Sequence, residues 1–220
     1  MIAKDIFLDH LRSGASEYGI NLDDNTLSLF WQYYELLVHW NSRVNLVSKG
    51  DIDRFVDYHV LDSLKTASVF DFLRVRTMLD FGSGAGIPGI PLSLAFPHLT
   101  TTLVESRTKR CSFLNEVVRS IPDLNVSVLH SGITSLSDIY NGSFDTVITR
   151  ATVSLADFFV KTSRFIHRGG TLISIKGEHF DHEISEIKTI FDNRHFTITK
   201  SVPKTVCSVR QGTIIFISHI

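Results

Sequence analysis

The segment Leu79–Gly89, LDFGSGAGIPG, limits the folds open to this chain more than any other stretch of it. It overlaps the end of a short apolar run, Thr77–Phe81, and leads into a helical pattern, Gly89–Phe96. Glycines at alternate positions let the main chain turn sharply, and without Cβ atoms they leave the backbone open to a ligand lying against it. Pro88 suits the first turn of a helix, where a missing N–H costs nothing. Asp80 stands at the strand end, placed to fix the loop or to reach the amino-acid group of a bound molecule. Gly84, Gly86 and Gly89 match the G-x-G-x-x-G turn, and the next strand ends in Glu105, where an acid accepts hydrogen bonds from ribose hydroxyls. Loop and acid together point to an adenosine-type ligand, with a dinucleotide and S-adenosylmethionine both open at this level.

The pattern around the loop sets the architecture. Thr77–Phe81, Thr101–Glu105, Asn125–Leu129, Asp145–Thr149, Thr171–Ile175, Phe196–Lys200 and Thr213–Ser218 read as strands. Helical segments Gly89–Phe96, Lys109–Arg119 and Ala156–Ile166 alternate with them, and Gly169-Gly170 reads as the turn before Thr171. Such alternation implies crossovers and a parallel sheet buried on both faces. The last two strands have no helix between them and can pair as an antiparallel edge. The expected fold is therefore α/β, a mostly parallel seven-stranded sheet with a late antiparallel hairpin. Upstream, no strand-like alternation occurs. Asn25-Thr26 can cap a helix carrying Leu27, Phe30, Trp31, Tyr34, Leu37 and Val38 on one face, and Phe55–Phe72 reads as a second helix with Val56, Val60, Leu64 and Ala67 on one side. Residues 1–72 are expected to form a helical cap and residues 73–220 the ligand-binding domain.

Composition excludes more than it selects. The 220 residues are 43% hydrophobic and 20% charged, enough for a sizeable core. A net charge of −1 gives no bulk attraction to nucleic acid, so an RNA partner has to be met by a local basic patch. Cys111 and Cys207 are too few for a disulfide framework or a CxxC metal site. His179 and His182 are close, yet no third ligand is recognisable, and no metal is expected. Met1–Leu11 carries Asp5, Asp9 and His10 and lacks the order of a signal peptide. No apolar run approaches the roughly 20 residues that span a bilayer, so a cytoplasmic protein is expected.

Several motifs taken together resemble one family. Asp80–Leu92 (DFGSGAGIPGIPL), Glu105-Ser106 with Lys109-Arg110 and Phe113-Leu114, Arg150-Ala151, and Lys176-Gly177 are similar to the bacterial 16S ribosomal RNA guanine-N7 methyltransferases, the glucose-inhibited division protein B (RsmG) family. Trp40-Asn41, Asn45-Leu46 and His59-x-Leu61-Asp62-Ser63 agree, and Arg210 adds a thin match near the end. The resemblance implies a Rossmann-like class I methyltransferase fold, S-adenosylmethionine as cofactor, methyl transfer to N7 of a guanine in 16S rRNA or the small ribosomal subunit, and a chain that acts as a monomer. With Asp80, Ser83, Gly84, Gly86 and Glu105 already placed at the cofactor by the loop and its acid, the resemblance adds Gly82 and Ile87 as its lining, Ile133 and Thr134 beside its adenine, and Arg150 at the completion of the site. The chain departs from the family at Thr134, where an acid is common, and at Thr152-Val153, where Phe-Ala is common.

Guanine N7 has an exposed lone pair and loses no proton before attack, so no general base is assigned. Arg43, Lys49, Arg107, Lys109, Arg110 and Lys176, with Arg119, are the candidates for phosphate contact. His59 with Asp62 has the spacing of a catalytic pair, but its expected role is to fix the cap against the cofactor loop. Two other readings carry their own signatures. A small nicotinamide-dependent oxidoreductase calls for a Tyr with a Lys four residues on; Tyr140 is followed by Phe144 and Tyr58 by Asp62. A non-catalytic RNA-binding assembly factor has no need of the glycine loop together with Glu105.

Overall fold

The computed structural model describes residues 2–150, 153–177, 181–190, 195–204 and 212–220; Ala151, Thr152, His179, Cys207 and Arg210, named above, lie outside them. The strands β1 (Thr77–Phe81), β2 (Thr100–Glu105), β3 (Val126–His130), β4 (Phe144–Arg150), β5 (Ile166–Lys176), β6 (Phe196–Ser201) and β7 (Thr213–His219) form one sheet in the order β3-β2-β1-β4-β5-β7-β6. The first five are parallel, and β7 runs antiparallel to both β5 and β6. The expected α/β sheet with its late hairpin is present.

Helices α1 (Lys4–Glu17), α2 (Asp24–Asn41), α3 (Lys49–Ile52), α4 (Asp62–Leu64), α5 (Gly89–Ala95), α6 (Thr108–Ser120), α7 (Leu155–Thr162) and α8 (Asp181–Ile190) cover the two faces. Successive strand residues point to opposite faces, and the core divides accordingly. Met78, Ile148, Ile173 and Ile214 pack into one cluster with Phe7 of α1, Phe30 of α2, Ile90 of α5 and Phe113 of α6. Their neighbours Leu79, Val147, Leu172 and Ile215 pack on the other face with Phe158 of α7 and Ile187 of α8. The first cluster runs without a break from α1 into the sheet, so the helices upstream of Phe72 share one interior with it. Gly14 allows α1 to approach closely: a Cβ there would lie 2.4 Å from Leu61 Cδ1.

Local chemistry revises four sequence expectations. Helix α2 is capped by Asp23, whose carboxylate accepts the Thr26 N–H at 2.7 Å, rather than by Asn25-Thr26. Phe55–Phe72 is not one helix: a π-helical turn at Val56–Leu61 passes into α4 and a 3-10 turn at Lys65–Ser68. Pro88 precedes α5 as its N-cap. Gly169-Gly170 lies within β5, where Gly169 at φ +87° accompanies the irregular register between Phe144↔Ile166 and Thr146↔Thr171. Helices α1 and α8 had no counterpart in the pattern reading.

Sheet order fixes where a ligand can go. The chain leaves β1 toward β2 and β3 on one side and resumes with β4 on the other, so the strand order reverses beside β1. In open α/β sheets ligands bind outside the carboxyl strand ends at such a point. Phe81 and Arg150 end the two strands that flank it.

Candidate cofactor site

The glycine loop is held by backbone and acid together. Gly82 and Ser83 donate their N–H groups to the Val104 carbonyl of β2, at 2.9 and 3.2 Å, and Gly86 N–H closes on Ser83 O at 2.7 Å. Gly84 N–H donates to Glu105 Oε2 at 2.9 Å, and Arg107 N–H donates to Glu105 Oε1 at 2.8 Å. Gly84 holds φ at +59°, a region that a side chain rarely adopts. Glu105 therefore orders the loop, with lone pairs left for other donors, since a carboxylate offers about four acceptor positions.

Asp80 is fully buried beneath the loop. Its Oδ2 accepts Gly89 N–H at 3.0 Å, while Oδ1 has no hydrogen-bond partner among the described residues. Burial pushes its carboxyl up to about 7, against the opposing influence of the Gly89 bond, the nearby Ser83 hydroxyl and Arg150, with Glu105 adding repulsion. A buried acid with a raised pKa and an orphaned oxygen is suited to a cationic donor.

The cap reaches this edge at two points. Tyr33 of α2 is fully buried, burial pushes its phenol well up, and its O–H donates to Ala85 O in the loop at 2.6 Å. Arg150 at the end of β4 donates from Nη1 to Tyr58 O at 3.0 Å and to Asp62 Oδ2 at 3.3 Å, and from Nη2 to His59 Nδ1 at 2.9 Å. Asp62 Oδ1 in turn receives Lys65 Nζ at 2.5 Å, and Lys65 is only 1% exposed. Asn41 fastens the loop after α2: its Oδ1 accepts Leu46 N–H and Val47 N–H, and its Nδ2 donates to Val47 O.

The remaining candidates separate by environment. Ile133 is buried in a 3-10 turn after β3 and packs with Leu79 and Val104, while Thr134 beside it is exposed. Ile87 and Ser83 are buried, with Gly82 and Gly84 half-buried at the surface of the loop. Arg43, Lys49, Arg107 and Lys109 are exposed. Arg110 leans inward, its Nη1 3.7 Å from Glu105 Oε2. Lys176 departs from the expected phosphate-contacting surface: it is 9% exposed, and its Nζ donates to Val153 O at 2.6 Å and pairs with Glu183 of α8 at 2.8 Å. Arg119 is exposed and pairs with Glu116 on its own helix.

With the loop, its acids and the strand order established, relatives can be compared. The family model described as rRNA small subunit methyltransferase G (GidB) matches residues 26–212. The chain belongs to this family. Ribosomal RNA small subunit methyltransferase G of Chlorobaculum tepidum is 35% identical over 178 residues, covering 80% of this chain and 81% of the relative. Its counterpart in Macrococcus caseolyticus is 34% identical over 181 residues, covering 82% and 74%. Among solved structures, an S-adenosylmethionine-dependent O-methyltransferase from Thermotoga maritima superposes with a TM-score of 0.52 at 14% identity, over 72% of this chain and 64% of its own. TYW2 from P. horikoshii in complex with MeSAdo gives 0.51 at 12% identity, over 66% and 57%. At those identities the structures speak for the fold. As a member of the methyltransferase G family the protein is an S-adenosylmethionine-dependent rRNA methyltransferase of the small subunit, which sets aside both the nicotinamide and the non-catalytic alternatives.

Tyr33 and Lys65 are the functional-edge residues that sequence reasoning missed. Tyr33 stands next to the stripe read on α2 without belonging to it; only its partner, 52 residues away, distinguishes it. Lys65 does carry a signal, since Asp62 stands three residues before it, the spacing at which opposite charges meet on a helix.

Proposed function

We propose that the chain transfers the methyl group of S-adenosylmethionine to N7 of one guanine in 16S rRNA. It acts as a single cytoplasmic chain in which residues 1–72 cap the unit 73–220. The observation that carries the reading is the carboxylate–loop contact, Glu105 Oε2 with Gly84 N–H, at the point where the strand order reverses.

The residues present fit the cofactor. Asp80 Oδ1 is a buried acceptor without a hydrogen-bond donor among the described residues and suits the ammonium of the methionine part. Glu105 suits the ribose diol, the Gly82–Ile87 backbone the sulfonium side, and Ile133 with Thr134 the adenine. Arg150 suits the carboxylate. The cofactor supplies an electrophilic methyl on a cationic sulfur. The chain's task is alignment, bringing N7 in line at a near-attack distance of about 3–3.5 Å. No residue is needed to take a proton, and acceptors rather than cations should surround a guanine that becomes cationic. Arg43, Lys49, Arg107 and Lys109 are the exposed cations left to meet phosphate.

Asp80 makes the cofactor's placement testable apart from turnover. Burial raises its carboxyl to about 7, so part of it is protonated at neutral pH. An ammonium beside it favours the ionised form, so binding should release a fraction of a proton near pH 7. Calorimetry in buffers of different ionisation enthalpy reads this number directly. Proton uptake, or none in the wild type while Asp80→Asn binds as well, would place the ammonium elsewhere. The substrate is tested by incubating the protein, labelled S-adenosylmethionine and small-subunit RNA from a strain lacking it. Cleavage at N7-methylguanine should then yield one new break. Label on protein, on a small molecule, or on RNA that resists such cleavage refutes the assignment.

A further inference from the structure

The π-helical turn at Val56–Leu61 brings three acceptors to bear on one guanidinium: Tyr58 O, His59 Nδ1 and, just past the turn, Asp62 Oδ2 all meet Arg150. Two of these accept at any ordinary pH down to that of a carboxylic acid. The third does so only in one protonation state. Arg150 can donate but never accept, so His59 Nδ1, 2.9 Å from Nη2, must be unprotonated, and the imidazole proton sits on Nε2. There it faces Asp51 Oδ2 of α3 at 3.8 Å, with the Phe55 ring alongside. A second proton on the ring would point an N–H at the guanidinium.

We propose that His59 is a positioning residue for Arg150: its unprotonated Nδ1 sets the direction in which the guanidinium meets the cofactor, and its protonation releases that hold. This rests on the reading of Arg150 as a cofactor ligand. Among the described residues, the charged groups seen around the imidazole are Arg150 from β4, Asp62 from α4 with Lys65 bound to it, and Asp51 from α3 with Arg54 at 3.9 Å. His59 is 5% exposed, so water does not readily replace the lost acceptor. α1 supports the turn from behind, through Gly14 against Leu61 and His10 with Asp57 at 2.7 Å, so the turn has little room to follow a displaced guanidinium. The sign follows: affinity for the cofactor should fall as pH drops through the titration of His59, because the acceptor is lost on the acid side.

The test is the affinity for S-adenosylmethionine, measured by calorimetry at about pH 7 and about pH 5.5, the interval in which histidine ordinarily titrates. Wild type, His59→Gln and Arg150→Met are compared. Arg150 acts on Asp80, so Arg150→Met alters that titration too; Asp80 keeps the same neighbours in wild type and His59→Gln, and the difference between those two reads His59. A glutamine amide oxygen accepts from Arg150 without titrating. A hydrogen bond to a charged group amounts to roughly tenfold in affinity. Wild type should lose roughly that factor more than His59→Gln on acidification, and Arg150→Met should bind weakly at both pH values. An equal acid loss in wild type and His59→Gln, with Arg150→Met still weak, overturns the role of His59 alone. Unchanged binding by Arg150→Met removes the ligand role of Arg150 and this inference with it. Should His59→Gln fail to fold, nitrogen NMR of the wild-type imidazole decides: Nδ1 unprotonated near neutrality and titrating together with affinity supports the proposal, and a protonated Nδ1 near pH 7 ends it.

Discussion

Replacing Gly86 with alanine is expected to cost about 2–5 kcal/mol of folding free energy and to abolish measurable cofactor binding. Two independent penalties combine. Gly86 holds φ at +87°, which charges an L side chain about 1–2 kcal/mol. Its Cβ would also lie 2.4 Å from Ile90 Cδ1, 2.8 Å from Ile90 Cγ1 and 3.1 Å from Leu114 Cδ2. Ile90 and Leu114 are fully buried and cannot swing into solvent, so the added methyl overpacks the site by about 1–3 kcal/mol. The loop moves as a result, because Gly86 N–H is the group that closes on Ser83 O. Gly142→Ala is the control: φ is +60° there, and nothing lies within 4 Å of the added carbon. Denaturant titration should show the first variant losing more than the second. Equal losses would mean the interior at Gly86 yields freely.

The second large effect is expected at Asp62. Its side chain bridges Lys65, 1% exposed, and Arg150, and is itself 6% exposed. Asp62→Ala withdraws an anion from a buried ion cluster, a change that typically destabilises by about 3–5 kcal/mol. Affinity for the cofactor should fall as well, since the guanidinium loses one of its supports. Asp62→Asn keeps the shape and an acceptor and should lose less. Asp157 offers a reference: it pairs with Lys161 at 3.3 Å while 56% exposed, and its removal should cost no more than about 1 kcal/mol. Thermal and denaturant melts of the three variants check the order. A loss at Asp62→Ala as small as at Asp157→Ala would show the cluster to be solvated.

The division between what was readable in the residues and what was not follows the range of the interactions. Glycine spacing, Glu105 at the end of its strand and the β-branched runs are local statements, and they give the strands and the parallel crossovers but not the order in which the strands lie. The turn at Val56–Leu61 is different. Its residues carry a helical period, and only packing against Gly14 and Arg150, 92 residues from Tyr58, accompanies the π winding seen there. Lys176 and Lys109 show the same limit for charge. Both are lysines at the carboxyl edge of the sheet, yet one is exposed and the other pairs with Glu183 on a helix that the pattern did not announce. A charge at a strand end does not declare its partner.

The unbroken interior from α1 and α2 into the sheet bears on how a nucleotide reaches the crevice. A hinged jaw needs a seam of weak packing on which to turn, and among the described residues these helices and the strands share one cluster; Tyr33 fastens the one directly to the loop of the other. Close-packed interiors switch between discrete arrangements or stay put. A rearrangement that brings a base to the crevice therefore falls to the RNA rather than to a hinge between these helices and the sheet.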